Sequence, residues 1–180
     1  IGDADTLGEK ELRTLEIVKA AIQNGERALI YTSWVRTDSQ QKLKKLLTDE
    51  GYRTELLTDK IKTTDREDWV QKKLAAGMQV LIVNPSLVET GLDLNAFTTL
   101  VFYSMGYKLF TLRQASRRSW RINQKAPSVK VYMLYYEDTM QQKCLKLMAS
   151  KLAVAGLIEG NFSEEGLALS LIHISEPTRR

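Results

Sequence analysis

The feature that most constrains this chain is a regular alternation of short apolar runs with helical segments. Strand-like apolar runs occupy 28–31, 53–57, 80–83, 99–103 and 129–135. Segments with apolar residues at helical spacing occupy 8–24, 38–50, 64–77, 109–122 and 138–157. Short strands that alternate with helices favour parallel pairing through right-handed crossovers. The sequence therefore predicts an α/β fold in which helices cover both faces of a mostly parallel sheet, with ligands beyond the carboxyl ends of the strands.

The helical segments also carry predictions about individual residues. In the first helix, Leu12, Leu15, Val18 and Ile22 follow one another at helical spacing, which predicts that they face the core. The third helix is preceded by the Thr64-x-x-Glu67 pattern of a capping box.

One acidic pair follows an apolar strand. Glu137-Asp138 occupies the position of a magnesium-binding pair but also opens a helix, and the helix-cap interpretation is favoured.

Composition supports one globular domain in a reducing compartment. The 180 residues are 43% apolar and 27% charged, with a net charge of +4, which permits a polyanionic partner. No apolar run is long enough to cross a bilayer, and the first residues lack the pattern of a signal peptide. The single cysteine, Cys144, excludes an internal disulfide framework. We therefore expect a cytoplasmic protein that does not enter membranes.

The two ends of the chain look unlike parts of a native domain. Residues 1–9 begin without methionine and are interpreted as the start of a fragment, the native domain as 10–158, and 159–168 as its uncertain end. Residues 169–180 resemble the translation of a transposon-end sequencing adapter, with an ordinary C-terminal extension as the alternative, and are left out of fold reasoning. The only histidine, His173, lies in this tail, so histidine-based catalysis and metal binding are excluded from the domain.

A long basic stretch is the strongest functional signal. Residues 94–136 contain no Asp or Glu but seven cations: Lys108, Arg113, Arg117, Arg118, Arg121, Lys125 and Lys130. Such a cluster indicates either a phosphate-binding surface or a solvated charged face. The spacing favours the former, because Gln114, Arg118 and Arg121 share one face of the predicted helix. Arginine suits developing phosphoryl charge, since its planar fork is always protonated.

A phosphate-cradling loop is missing from the sequence. Neither Gly-x-x-x-x-Gly-Lys-Ser/Thr nor a Gly-x-Gly-x-x-Gly after a strand occurs. We therefore expect the chain alone to hold no nucleoside triphosphate and to be inactive by itself.

Three segments together resemble a known family. Residues 114–124 resemble motif VI of superfamily-two helicases, closest to the Swi/Snf-like version Gln-Ala-x-Asp-Arg-x-x-Arg-Ile-Gly-Gln, with departures at Arg117 and Asn123. Residues 88–95 resemble motif V, and 28–33 resemble motif IV. The order and spacing are similar to those of the second RecA-like domain of that superfamily, which implies a RecA-like three-layer sandwich over about 10–158.

The resemblance implies specific roles for matching residues. Arg118 and Arg121 would act as arginine fingers on the γ-phosphate of ATP, and Gln114 would contact the phosphates or couple the two motifs. Gly91 and Asp93 would line the nucleotide side of the cleft. The nucleic-acid backbone would contact the residues Thr32, Ser33, Trp34 and Thr90. The plain structural alternatives are that Gly91 serves a turn and Asp93 caps a helix.

The function implied is the C-terminal motor domain of an ATP-dependent DNA helicase or translocase. ATP with Mg would be bound mainly by an N-terminal RecA-like domain of the parent chain, and no metal site is expected here. Two alternatives stay open: an RNA helicase motor domain, and a RecA-like scaffold that binds nucleic acid without catalysis.

Overall fold

In the residues that the structure describes, six parallel strands form a single sheet. A computed structural model describes residues 8–32, 37–88, 92–103, 129–136 and 167–174. The strands are β1 (Ala28–Tyr31), β2 (Thr54–Leu57), β3 (Val80–Val83), β4 (Thr99–Phe102), β5 (Val129–Tyr136) and β6 (Leu167–Ile174). They lie in the order β2-β3-β1-β4-β5-β6, and every neighbouring pair is parallel. The predicted α/β class and parallel sheet are confirmed.

The helices begin and end close to the predicted positions. They are α1 (Glu9–Gln23), α2 (Thr37–Asp49) and α3 (Arg66–Ala75), and short 3-10 turns cover Thr63–Asp65 and Pro85–Val88. Gly25 and Gly77 follow α1 and α3 with φ of 75° and 99°, a left-handed conformation that favours glycine at helix ends. The helices predicted at 109–122 and 138–157 lie outside the described residues.

The sheet is covered on both faces, so the described part has three layers. Alternate residues of β1 serve opposite cores: Ala28 and Ile30 pack with buried residues of α1 and α2, whereas Leu29 and Tyr31 pack with Val70 of α3. The Tyr31 ring stacks on Phe102 of β4, with 4.9 Å between ring centroids. All four residues of β1 are fully buried. This arrangement explains why the strands are continuous apolar runs rather than alternating ones.

The inner face of α1 differs from the predicted one. Leu12 is 43% exposed, whereas Thr14, Val18 and Ala21 are buried. Leu15 and Ile22 are half-buried and pack against the same core as Val18, so the prediction is wrong only at Leu12. The buried, core-facing positions also include two polar residues, Lys10 and Thr14. Thr14 can be buried because its hydroxyl donates to the Lys10 carbonyl oxygen at 2.8 Å and so needs no partner outside the helix.

The predicted capping box at Thr64 and Glu67 is wrong. The N-cap of α3 is Asp65, and no side chain makes a capping hydrogen bond there. Thr64 belongs to the preceding 3-10 turn. The Glu67 carboxylate instead accepts a hydrogen bond from the distant Asp93 amide. The second predicted cap, Glu137-Asp138, lies outside the described residues.

The edge strand β6 spans the last two residues of the uncertain end, 159–168, and the first six of the adapter-like segment, 169–180. Its eight residues pair in parallel register with β5, from Val129↔Leu167 to Tyr136↔Ile174. This pairing makes β6 the edge of the sheet beyond β5. The adapter-like origin of 169–180 stays a prediction.

Two leucine substitutions test the observed packing of α1. Leu43 of α2 is 1% exposed and Leu12 of α1 is 43% exposed. Leu43→Ala should lower the free energy of unfolding by ~2–5 kcal/mol because it leaves a cavity. Leu12→Ala should change it by no more than ~0.5 kcal/mol. Urea unfolding of both variants measures the difference, and equal losses would mean that Leu12 packs in the core as the sequence predicts.

Candidate functional site

The carboxyl ends of the central strands meet at one edge of the sheet. Tyr31 is in register with Val83 of β3 and with Phe102 of β4, so β1, β3 and β4 end level with one another. Thr32, Asn84 and Tyr103 follow these strands directly. Ligands of open parallel sheets bind at this edge. The described residues that follow the strands therefore define the candidate site.

Thr32 is held beneath this edge. Its side chain is buried, its amide donates to the Val83 carbonyl oxygen at 3.0 Å, and its hydroxyl accepts from the Gln40 amide nitrogen at 2.6 Å. The residue thus ties β1 to β3 and to α2. The predicted nucleic-acid contact requires a hydroxyl that faces solvent, and the Thr32 hydroxyl does not. Ser33 and Trp34, its predicted partners in that contact, lie outside the described residues.

Asp93 lies on a constrained segment between buried neighbours. Leu92 and Leu94 are buried in the core, and Asp93 is half-buried between them. Its amide donates to Glu67 Oε2 at 3.0 Å, and its Oδ1 accepts from the Asn95 amide at 3.0 Å. The second contact is an Asx turn, and no helix follows, so Asp93 does not act as a helix cap. Backbone and carboxylate are therefore both oriented by protein contacts.

The first turn of α3 contacts the loops on either side of this segment. Arg66 is buried, and its guanidinium donates to two carbonyl oxygens, Ile61 through Nε at 3.0 Å and Leu87 through an Nη at 3.2 Å. Glu67, the next residue, accepts from Asp93. Adjacent residues of one helix thus bind the chain before and after positions 89–91.

A buried lysine lies beside the residue that follows β4. Lys10 Nζ is 5.0 Å from the centroid of the Tyr103 ring, and the Tyr103 amide donates to the Tyr31 carbonyl oxygen at 2.9 Å. Burial lowers the pKa of Lys10 from 10.5 to about 8, and the neighbouring Glu11 carboxylate opposes this shift only in part. The contact between an ammonium group and the face of a tyrosine ring offsets some of the cost of desolvating the charge.

Not all of the basic stretch faces this edge. Lys130 lies at the amino end of β5, paired in register with Thr99, and its Nζ is 3.7 Å from Glu26 Oε2. The remaining predicted site residues lie outside the described part of the chain: Ser33, Trp34, Thr90, Gly91, Gln114, Arg118 and Arg121.

A groove of about 460 Å³ opens at the other end of β2, away from the candidate site. Two of its cations contact other groups of the protein: an Nη of Arg53 donates to the Ala76 carbonyl oxygen at 2.9 Å, and Lys73 Nζ is 3.7 Å from Glu55. Lys44 also lines it, from α2. The Arg53 and Lys73 contacts join α3 to β2 and to the residue before it, and we assign the groove no ligand.

The described ranges contain neither a metal-binding cluster nor a membrane-spanning helix. Within them, no group of three or more His, Cys, Asp or Glu side chains is arranged to hold a metal ion. None of the helices described is both long enough and apolar enough to span a membrane.

The comparison with protein families decides the relationship. Residues 10–123 match the helicase conserved C-terminal domain. The chain belongs to this family. The predicted helicase C-terminal domain and its RecA-like fold are confirmed.

A solved structure agrees with the fold of this helicase C-terminal domain. The chain is similar to the crystal structure of the C-terminal part of the Fun30 ATPase domain, with a TM-score of 0.66 and 19% sequence identity. The match covers 77% of this chain and 45% of that chain, so this helicase domain spans less than half of the compared structure. The comparison with curated proteins gave no match.

Sequence reasoning missed four residues that shape the site of this helicase domain: Lys10, Gln40, Arg66 and Glu67. Lys10 stands four residues before Thr14 and seven before Ile17, so its place on the inner face of α1 was visible in the spacing. Gln40 contacts Thr32, eight residues earlier, whereas Arg66 and Glu67 contact Leu87 and Asp93, more than 20 residues along the chain. Local patterns carry no sign of these contacts.

The lowered pKa of Lys10 predicts a specific pH dependence of stability. Below about pH 8 the lysine is charged in both the folded and the unfolded state, so its desolvation opposes folding in full. Between about 8 and 10.5 the folded state loses the proton first, and stability rises with pH. Lys10→Met should therefore stabilise the chain at pH 7, by up to on the order of 3 kcal/mol, and this advantage should shrink across that window.

Urea unfolding from pH 7 to 10.5 measures this effect, with Lys19→Met as the control. Lys19 lies on the same helix but is exposed. A constant difference between the Lys10→Met variant and the unsubstituted chain over this pH range would contradict the assigned burial of the charge.

Proposed function

We propose that this chain is the C-terminal motor domain of an ATP-dependent DNA helicase or translocase of the Swi/Snf-like kind. The observation that carries the proposal is the motif VI sequence at 114–124, most of which falls within the family match over 10–123. The domain works beside a first RecA-like domain that holds most of the nucleotide. The single cysteine fits a reducing compartment such as the cytoplasm.

The basic stretch supplies the catalytic charge. Arg118 and Arg121 act as arginine fingers, and Gln114 contacts the phosphates or couples the motifs. On the helix that the sequence predicts over 109–122, guanidiniums three residues apart share one face and offer planar donors. Their contribution is greatest where negative charge grows on the transferred phosphoryl group, so they accelerate hydrolysis more than they strengthen binding.

The carboxyl edge of the sheet supplies the nucleotide contacts. Asp93 fits this role, because its amide is bound to Glu67, one carboxylate oxygen is bound to the Asn95 amide, and its side chain is only half-buried. A carboxylate so held can accept hydrogen bonds from ribose hydroxyls, and Gly91, two residues earlier in the sequence, lets backbone approach closely. ATP supplies the phosphoanhydride bond that is hydrolysed. Mg would neutralise the charge of its phosphates and would be held by the first domain.

The nucleic-acid contacts come from loops at the same edge. Ser33, Trp34 and Thr90 touch the backbone of the strand, while Thr32 supports this loop from below through Gln40 and β3. Contacts to the phosphate backbone ignore base identity, so binding is not sequence-specific. Opening and closing of the cleft between the two RecA-like domains moves the strand past these contacts.

The test of the catalytic assignment is ATP hydrolysis by a protein in which this chain follows its first RecA-like domain. At saturating DNA, Arg118→Ala and Arg121→Ala should each lower kcat by ~10³–10⁵ while weakening ATP binding far less. Lysine at either position should rescue poorly, because a point charge cannot replace the planar fork.

Lys108→Ala and Lys125→Ala are the matched controls from the same basic stretch. Each should lower the salt dependence of DNA affinity by about one counterion and leave kcat at saturating DNA nearly unchanged. Circular dichroism checks folding, and duplex DNA and RNA are compared as activators. Wild-type kcat in both folded arginine variants would show that this helix is not catalytic, and stimulation by RNA alone would assign the motor to RNA.

A further inference from the structure

The first turn of α3 makes an unusual set of contacts for a surface helix. Arg66 is 9% exposed, yet its described hydrogen bonds go to backbone carbonyl oxygens rather than to a carboxylate. Glu67 accepts from a backbone amide 26 residues away. A buried guanidinium needs several acceptors, and its fork can reach two loops at once.

The two contacts lie on opposite sides of one short segment. Arg66 donates to the carbonyl oxygen of Leu87 and Glu67 accepts from the amide of Asp93, so positions 89–91 are bounded by two anchors from adjacent residues. Leu92 and Leu94 add apolar anchors, since both are buried in the core cluster that contains Val70 of α3. The backbone at Asp93 is thus fixed by α3 through one charged hydrogen bond and its buried neighbours.

We propose that Arg66 and Glu67 are positioning residues, which hold the chain at Leu87 and Asp93 so that the Asp93 carboxylate is set for the nucleotide. The inference rests on the proposed function in assigning the nucleotide to Asp93. The anchoring itself rests only on the contacts described. Glu67 acts through the backbone of Asp93, and Arg66 holds the opposite end of the segment.

The anchoring is tested in the 180-residue chain by amide hydrogen exchange of Asp93, measured by NMR. Glu67→Ala removes the charged acceptor, so the Asp93 amide should exchange about tenfold faster or more. Glu67→Gln retains an acceptor oxygen and should stay within about threefold of the unsubstituted chain. Asp68→Ala, which removes an exposed acid from the same turn, is the control and should have no effect.

The exchange experiment separates a local role from a loss of stability. Amides of Val80–Val83 should keep their rates in every variant, because β3 is buried independently of Glu67. The Leu87 amide donates to the Asn84 carbonyl oxygen, within the turn that Arg66 holds through the Leu87 carbonyl oxygen. Arg66→Lys should loosen this turn and speed exchange of the Leu87 amide, because one ammonium cannot reach both the Ile61 and the Leu87 carbonyl oxygens. An unchanged Asp93 rate in Glu67→Ala, or equal acceleration at Val80–Val83, would overturn the anchoring.

The consequence for the nucleotide is tested with the first RecA-like domain joined to the chain. Glu67→Ala should raise KM for ATP about tenfold with kcat within about twofold, the pattern of lost ground-state binding. Adding Glu67→Ala to Asp93→Ala should raise KM no further, because the first change acts through the second residue. Additive effects would overturn the route through Asp93. An unsubstituted protein without ATPase activity would contradict the proposed function, and amide exchange would still decide the anchoring.

Discussion

Burial of β1 on both faces is the constraint on which the rest of the structure depends. Its four residues are completely excluded from solvent, and both neighbours, β3 and β4, pair with it in parallel. A strand with apolar residues on both faces requires helices on both sides of the sheet, and parallel neighbours require crossovers. The three-layer arrangement follows from this, as does the gathering of the strand ends at one edge.

At that edge, hydrogen bonds between polar groups, rather than apolar packing alone, fix the positions of the residues. Thr32, Asp93 and Arg66 are each held by hydrogen bonds to other elements, so their positions do not depend on exposed loops alone. A buried polar group without partners costs more than its hydrogen bond contributes, so these contacts specify one arrangement. The same helix that covers one face of the sheet, α3, therefore also orders the segment that carries Asp93.

The strands and helix ends could be predicted because local patterns determine them. Continuous apolar runs marked β1, β3 and β4, and glycines marked where α1 and α3 end. The partner of Lys10 and the role of Glu67 could not be predicted in this way. Lys10 is buried with its charge near the Tyr103 ring, and Glu67 bonds to a residue far along the chain. Both depend on tertiary partners that neither periodicity nor capping rules contain.

The most direct test of the account is the dependence of ATP chemistry on a second domain. Calorimetry and hydrolysis assays of the isolated chain should show negligible ATP binding and no turnover above blank, because the sequence has no phosphate-cradling loop. The same chain joined to its first RecA-like domain should hydrolyse ATP, and DNA should stimulate the rate. Micromolar ATP affinity in the isolated chain would contradict the assignment of this domain as half of a motor. So would an absence of ATP hydrolysis by the joined protein with every nucleic acid tested.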